Sequence, residues 1–193
     1  MARVRKTTIR RGHQLLGDLT VTGAWWDEGM EYLIKWGVWH LLVLDRREEA
    51  EERMLGIVYM PALYASFETF VTPLKFWRVL GLSRAEDGYQ KAREELAEML
   101  ENDPENLPLP ESDLLDCAAT TGNFLTKAGL LKSGLAINKF VSDKRQQLLG
   151  LDHPDTLRSL GNLASVLHAK GDYEEAEKLH RQVLIGMEKD LGP

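Results

Sequence analysis

The chain has 193 residues, 44% of them hydrophobic and 28% charged, which is enough apolar material for one or two small cores and excludes wholesale disorder. Its formal charge of −6 is unevenly spread: Arg3, Arg5, Lys6, Arg10 and Arg11 precede the first acid, Asp18, and without them 19 basic residues face 30 acidic ones. So acidic a body argues against nucleic acid as its main partner and leaves only the basic arm to touch phosphate or a membrane surface.

The opening stretch "MARVRKTTIRRGHQLLGDL" has paired arginines with no apolar run behind them, a poor match to a secretory signal. The longest apolar run, "VWHLLVL" from Val38 to Leu44, is far short of the roughly 20 residues that cross a bilayer, so no transmembrane segment is expected. One cysteine, Cys117, can form neither an internal disulfide nor a multi-cysteine zinc site; it fits a small buried thiol in a reducing, cytoplasmic setting.

Helical spacing begins in "DEGMEYLIKWGVWHLLVL", where Tyr32, Leu33, Trp36, Trp39, His40 and Val43 fall on one face that is expected to point inward. A short second helix follows in "RREEAEERMLG", and a third, broken near Pro73, in "MPALYASFETFVTPLKFWRVLG". Trp25, Trp26, Trp36 and Trp39 lie within 15 residues of one another, an aromatic stripe that suits a packed core better than a cation-binding cage. Residues 1–72 are therefore expected to form a helical N-terminal segment.

From there on the chain repeats itself. A shift of 42 residues lays Asp113 on Asp155, Leu115 on Leu157, Leu125 on Leu167, Gly129 on Gly171 and Val141 on Val183, while Gly122 and Gly134 meet Ala164 and Ala176. In the better copy, Asp155 is placed to cap a first helix whose apolar face is Leu157, Leu160, Leu163, Ala164 and Leu167. "KGD" at Lys170 to Asp172 supplies a turn. A second helix then runs from about Tyr173 to Lys189, with Tyr173, Ala176, Leu179, Val183, Leu184 and Met187 expected inward.

The repeats occupy residues 73–193, as units of about 73–106, 107–148 and 149–190, the first of them faint because Leu80 stands where a small residue is wanted. One such hairpin cannot bury its apolar face alone, and stability accrues by stacking. The expected fold class is all-α, an α–α superhelix of stacked helical hairpins behind a helical N-terminal segment. The final "LGP" at Leu191 to Pro193 echoes "LGL" at Leu149 to Leu151, so the chain stops where a further unit would start. Two expectations follow: a longer array from which this product is cut, or another surface that covers Leu184 and Met187, self-association included.

The stretch from Leu149 to Gly192 resembles a tetratricopeptide repeat of the longer, kinesin-light-chain-like kind, with His153-Pro154-Asp155, Leu163-Ala164, Gly171-Asp172-Tyr173 and Glu175-Ala176-Glu177 in their expected places. The resemblance implies a non-catalytic scaffold whose first-helix face binds a protein or peptide partner. A second resemblance starts at Arg10: "RRGHQLLGDL", "EYLIKWGVWHLL", "REEAEERML" and "ALYASFETFVT" follow the order of the helical arm in signal-transducing ATPases of the apoptotic protease-activating factor and NACHT families. His40 matches the histidine of that arm, whereas Trp36 and Trp39 depart from it and "VYMPALY" replaces an expected tryptophan. No G-x-x-x-x-G-K-[ST] loop exists to cradle nucleotide phosphates, so on this resemblance the chain is the arm and the beginning of a repeat-built sensor.

Enzymatic constellations are missing from the sequence. His13, His40, His153, His168 and His180 form no H-E-x-x-H pair, and there is no G-x-S-x-G. No catalytic residue, metal or cofactor is expected. The candidate partner-binding groove is the polar stripe of the first helices: Arg158, Asn162, Ser165 and His168, and one unit earlier Asp116, Thr120, Asn123 and Thr126 with Lys127 beside them. Asn162 offers a donor and an acceptor to a peptide backbone, and Arg158 a fork for a carboxylate. The function expected is a protein–protein interaction scaffold; the alternative is a regulatory or accessory domain of an enzyme whose catalytic part lies upstream or on another chain.

Overall fold

A computed structural model describes residues 31–57, 59, 62 and 71–191. The basic arm, His13, Trp25, Trp26 and the closing Gly192-Pro193 lie outside the described residues. Within them the secondary structure is helical, with eight α-helices: α1 (Glu31–Val43), α2 (Arg47–Leu55), α3 (Val71–Leu80), α4 (Leu82–Asn102), α5 (Glu111–Lys127), α6 (Leu131–Leu149), α7 (Pro154–Lys170) and α8 (Tyr173–Leu191). The chain divides into two units, Met1–Leu82 and Ser83–Pro193. The faint repeat expected over residues 73–106 straddles this division, with α3 on one side and α4 on the other.

In the first unit α1 packs against α2, and Val38, Leu41, Ala50 and Met54 are buried. Tyr59 donates its hydroxyl proton to the Ile34 carbonyl at 2.8 Å. The inward face expected for α1 is displaced: Trp36, Trp39 and Val43 are 38%, 42% and 48% exposed and His40 is buried, while the side chains of Tyr32 and Leu33 lie outside the described residues. The reason lies in composition. From Leu33 to Val43 only Lys35 and His40 are not apolar or glycine, so the spacing alone does not choose a side. The side that is buried carries Gly37, Val38, His40 and Leu41.

The second unit is a run of stacked hairpins, α5 with α6 and α7 with α8, with α6 also packed on α7. α4 buries Ala85, Tyr89, Leu96 and Leu100 and is tied to α6 through Ser133, whose backbone N–H donates to Glu86 Oε1 at 2.8 Å and whose hydroxyl donates to the Glu86 carbonyl. The two hairpin turns are the same device used twice. Gly129 and Gly171, one period apart, take φ of +81° and +94°, a conformation that costs glycine nothing and other residues much. Each lets the next N–H fold back, Leu130 to the Leu125 carbonyl and Asp172 to the Leu167 carbonyl, both at 2.9 Å.

Small residues hold each hairpin close. A Cβ on Gly122 would lie 2.9 Å from the Asn138 amide, and one on Gly134 would lie 2.9 Å from Thr126 Oγ1; the equivalent Ala164 and Ala176 are buried. The N-cap of α7 differs from expectation. His153 takes that place, with Nδ1 accepting from the Asp155 N–H at 3.2 Å and Pro154 in the first turn, because the proline has no N–H to satisfy there. On α8, Ala176 and Gly186 are buried and Leu179 and Val183 half-buried, whereas Tyr173, Leu184 and Met187, expected inward, are exposed.

Candidate interaction surface

The first helices α5 and α7 sit close enough to be joined directly. Arg158 on α7 donates from Nη2 to Asp116 Oδ1 on α5 at 3.3 Å, and from the same nitrogen to Asp155 Oδ1 at 2.7 Å. Asp116 and Arg158 hold the same position in successive repeats, so the polar stripes of α5 and α7 adjoin on one surface. The guanidinium is more than half exposed, yet its charge is already matched by two carboxylates.

Beneath them lies a residue that the sequence pattern did not single out. Arg145 on α6 has a buried side chain that pairs with Asp116 through Nη2 and donates from Nη1 to Ser159 Oγ at 2.8 Å and to the Asp155 carbonyl at 3.4 Å. Ser159 in turn donates to the Asp155 carbonyl at 2.8 Å, so its hydroxyl serves both partners. A buried charge needs both a counter-ion and satisfied N–H groups, and here α5 supplies the first and α7 the second. Arg145 sits in the polar run "SDKRQQ", which has the composition of a solvent-facing strip. Its spacing from Asn138 and Ser142 was the available signal, since these three form one helical stripe and all are buried.

The other groove residues divide into bonded and open. Thr120 Oγ1 donates to the Asp116 carbonyl at 3.0 Å, Thr126 Oγ1 to the Gly122 carbonyl at 2.8 Å and Ser165 Oγ to the Gly161 carbonyl at 2.9 Å, each one turn back on its own helix. Asn123 and Asn162 are half-buried, and among the described residues no hydrogen bond engages either carboxamide. His168, at the end of α7, meets Tyr173 edge-on at 5.0 Å, and Lys127 is exposed at the end of α5. The stripe thus offers two open amides, between a neutralised arginine at one end and cationic or aromatic groups at the other.

Residues 114–189 match the family model of the tetratricopeptide repeat. The match spans α5 to α8, and the all-α, stacked-hairpin arrangement of these helices agrees with it. No curated protein matches the sequence. Tetratricopeptide repeats generally mediate protein–protein interaction and are typically non-catalytic scaffolds.

Nothing nucleophilic is prepared on this surface. Cys117 is half-buried on α5, and burial pushes its thiol up from its ordinary range, with the charges of Asp116 and Asp113 adding to the shift. A reactive thiol needs the opposite surroundings. Among the described residues no group of three or more His, Cys, Asp or Glu could hold a metal ion, and no helix is long and apolar enough to cross a membrane.

Proposed function

We propose that the tetratricopeptide segment binds an extended peptide or a protein segment along the adjoining first-helix stripes of α5 and α7, with Asn123 and Asn162 as its main contacts. The Arg158–Asp116 bond carries this reading, because it brings equivalent positions of two repeats together and so aligns two open carboxamides on one surface. A carboxamide pairs with a peptide N–H and C=O without reading the side chains, which suits a scaffold. Arg158, Thr120, Ser165, His168 and Lys127 flank the amides; Arg158 positions Asp116 and Asp155 rather than waiting for a partner's carboxylate.

The first unit fits the arm of a signalling ATPase, a reading supported by the order of α1 and the acidic α2 and by His40, which is buried beside Trp39 with ring centroids 4.9 Å apart. On that reading the repeats are the start of the sensor and the catalytic machinery belongs elsewhere. Peptides selected from a displayed library on the wild-type chain test the groove. Asn123→Ala with Asn162→Ala should weaken their binding about thirtyfold, from two lost hydrogen bonds of about 1 kcal/mol each, at unchanged melting temperature. Retained affinity in the double variant removes the two amides from the site.

A further inference from the structure

The buried polar stripe of α6 does not act as a unit. Asn138 Nδ2 donates to the Gly134 carbonyl and Ser142 Oγ to the Lys139 carbonyl, both at 2.9 Å and both on α6 itself. Arg145 alone of the three carries its side-chain bonds beyond the helix, to Asp116 on α5 and to Ser159 Oγ and the Asp155 carbonyl on α7. The other groups between α6 and α7 fix no direction. Ile137, Val141, Leu157 and Leu160 are buried, and apolar burial is non-directional. Thr156 Oγ1, in the first turn of α7, is out of water and makes no hydrogen bond among the described residues.

A guanidinium is a planar fork whose N–H groups point in set directions, so one that bonds two helices holds them at one separation and one angle. We propose that Arg145 is a positioning residue of the groove, a role that rests on Asn123 and Asn162 binding one peptide: its fork sets how α7 lies against α5 and thereby the spacing of the two amides. Asn123 lies seven residues beyond Asp116, and Asn162 seven beyond Asp155. Both amides are therefore two turns along from a residue that Arg145 holds, on the same face and at an arm of about 10 Å. A tilt of about 10° on that arm displaces an amide by roughly 2 Å, more than a hydrogen bond tolerates.

This accounts for a charge where stability does not require one. Replacing a buried ion pair by apolar side chains is often neutral for folding, but it removes the directional bonds. A groove whose amides are already spaced spares the partner the ordering of two repeats on binding. It therefore favours a peptide that engages both repeats at once over one that reaches a single repeat.

Two readouts test this at a temperature where every variant is folded. In the Cys117→Ser chain, spin labels at Ser112→Cys on α5 and Ala169→Cys on α7, both exposed positions, report the distance between the helices with no ligand present. Arg145→Met should broaden or shift that distance distribution. The second readout is affinity for a peptide selected from a displayed library on the wild-type chain. Arg145→Met should weaken it about tenfold, but under about twofold in the Asn162→Ala chain, where one amide remains and spacing no longer matters. A purely structural Arg145 would lower both affinities alike. Ser159→Ala cuts the fork at α7 alone; it should move both readouts in the same direction and replaces Arg145→Met if that variant does not fold. An unchanged distance distribution, or equal losses in the two chains, overturns the role of Arg145 and leaves the groove reading standing. Full affinity in the Asn162→Ala chain overturns the groove reading, and the role of Arg145 with it.

Discussion

Asp116 accepts a hydrogen bond from Arg158 at 3.3 Å although the two residues occupy the same position in successive repeats, and the same carboxylate also holds the buried Arg145 from the helix between them. Three helices, α5, α6 and α7, therefore meet at one acid. The two cations are not equivalent. Arg158 is exposed, where an ion pair contributes roughly 0–1 kcal/mol; Arg145 is out of water, where the loss of a counter-ion is felt in full.

Asp116→Ala is accordingly expected to destabilise the fold by about 2 kcal/mol, and Arg158→Ala by under about 1 kcal/mol, in urea unfolding. Arg145→Met introduces the side chain that the next repeat carries at this position, Met187, and should shrink the effect of Asp116→Ala in a double-mutant cycle. Additive single and double variants would mean that Asp116 does not act through Arg145.

Two glycines inside helices should respond to alanine with opposite signs. At Gly161 on α7 a Cβ meets nothing within 4 Å, so Gly161→Ala should raise stability by about 1 kcal/mol through helix propensity. At Gly186 on α8 a Cβ would lie 2.5 Å from Leu157 Cδ2 and 2.8 Å from its Cδ1, and Leu157 is buried and closely held. Gly186→Ala should cost about 1–3 kcal/mol despite the better helix former. A stabilised Gly186→Ala protein would show that α7 and α8 are less closely packed than this.

The histidine cap of α7 is testable by replacement. His153→Ala removes the acceptor for the Asp155 N–H and should cost about 1 kcal/mol, whereas His153→Asn places a better-suited oxygen at the same N-cap. Thermal melting should therefore rank Asn at or above His and both above Ala. If Asn melts with Ala, the bond to Asp155 contributes nothing.

Cys117 carries a pH dependence whose sign follows from its surroundings. Burial, then Asp116 and Asp113, raise its pKa in the folded chain, so the stability this thiol contributes is complete below the ordinary thiol range and is lost as pH rises from there through the raised folded value. Iodoacetamide at pH 8 should alkylate the folded chain about tenfold more slowly than the chain in urea. Cys117→Ser should flatten the loss of stability at alkaline pH. Equal alkylation rates would place the thiol in open solvent.

The period of 42 residues, the hairpins and their turns are written in local chemistry. Gly129 and Gly171 stop helices because a left-handed residue is needed there, and Leu157, Leu160, Leu163 and Ala164 recur at helical spacing because one face of α7 is covered. Neither property depends on a distant part of the chain, so both are legible one unit at a time, and the stripe containing Asn123 and Asn162 was legible with them.

Three features were decided only in three dimensions: which side of α1 turns inward, the burial of Arg145 and the exposure of Leu184 and Met187. α1 is apolar on nearly every side, so the choice fell to the approach of α2. Arg145 and Met187 share a repeat position and have nearly opposite chemistry, yet the charged one is buried and the apolar one is open. Helical spacing shows which residues share a face; whether that face is covered depends on a helix contributed from elsewhere, and α7 covers α6 while no helix among the described residues covers the matching stripe of α8.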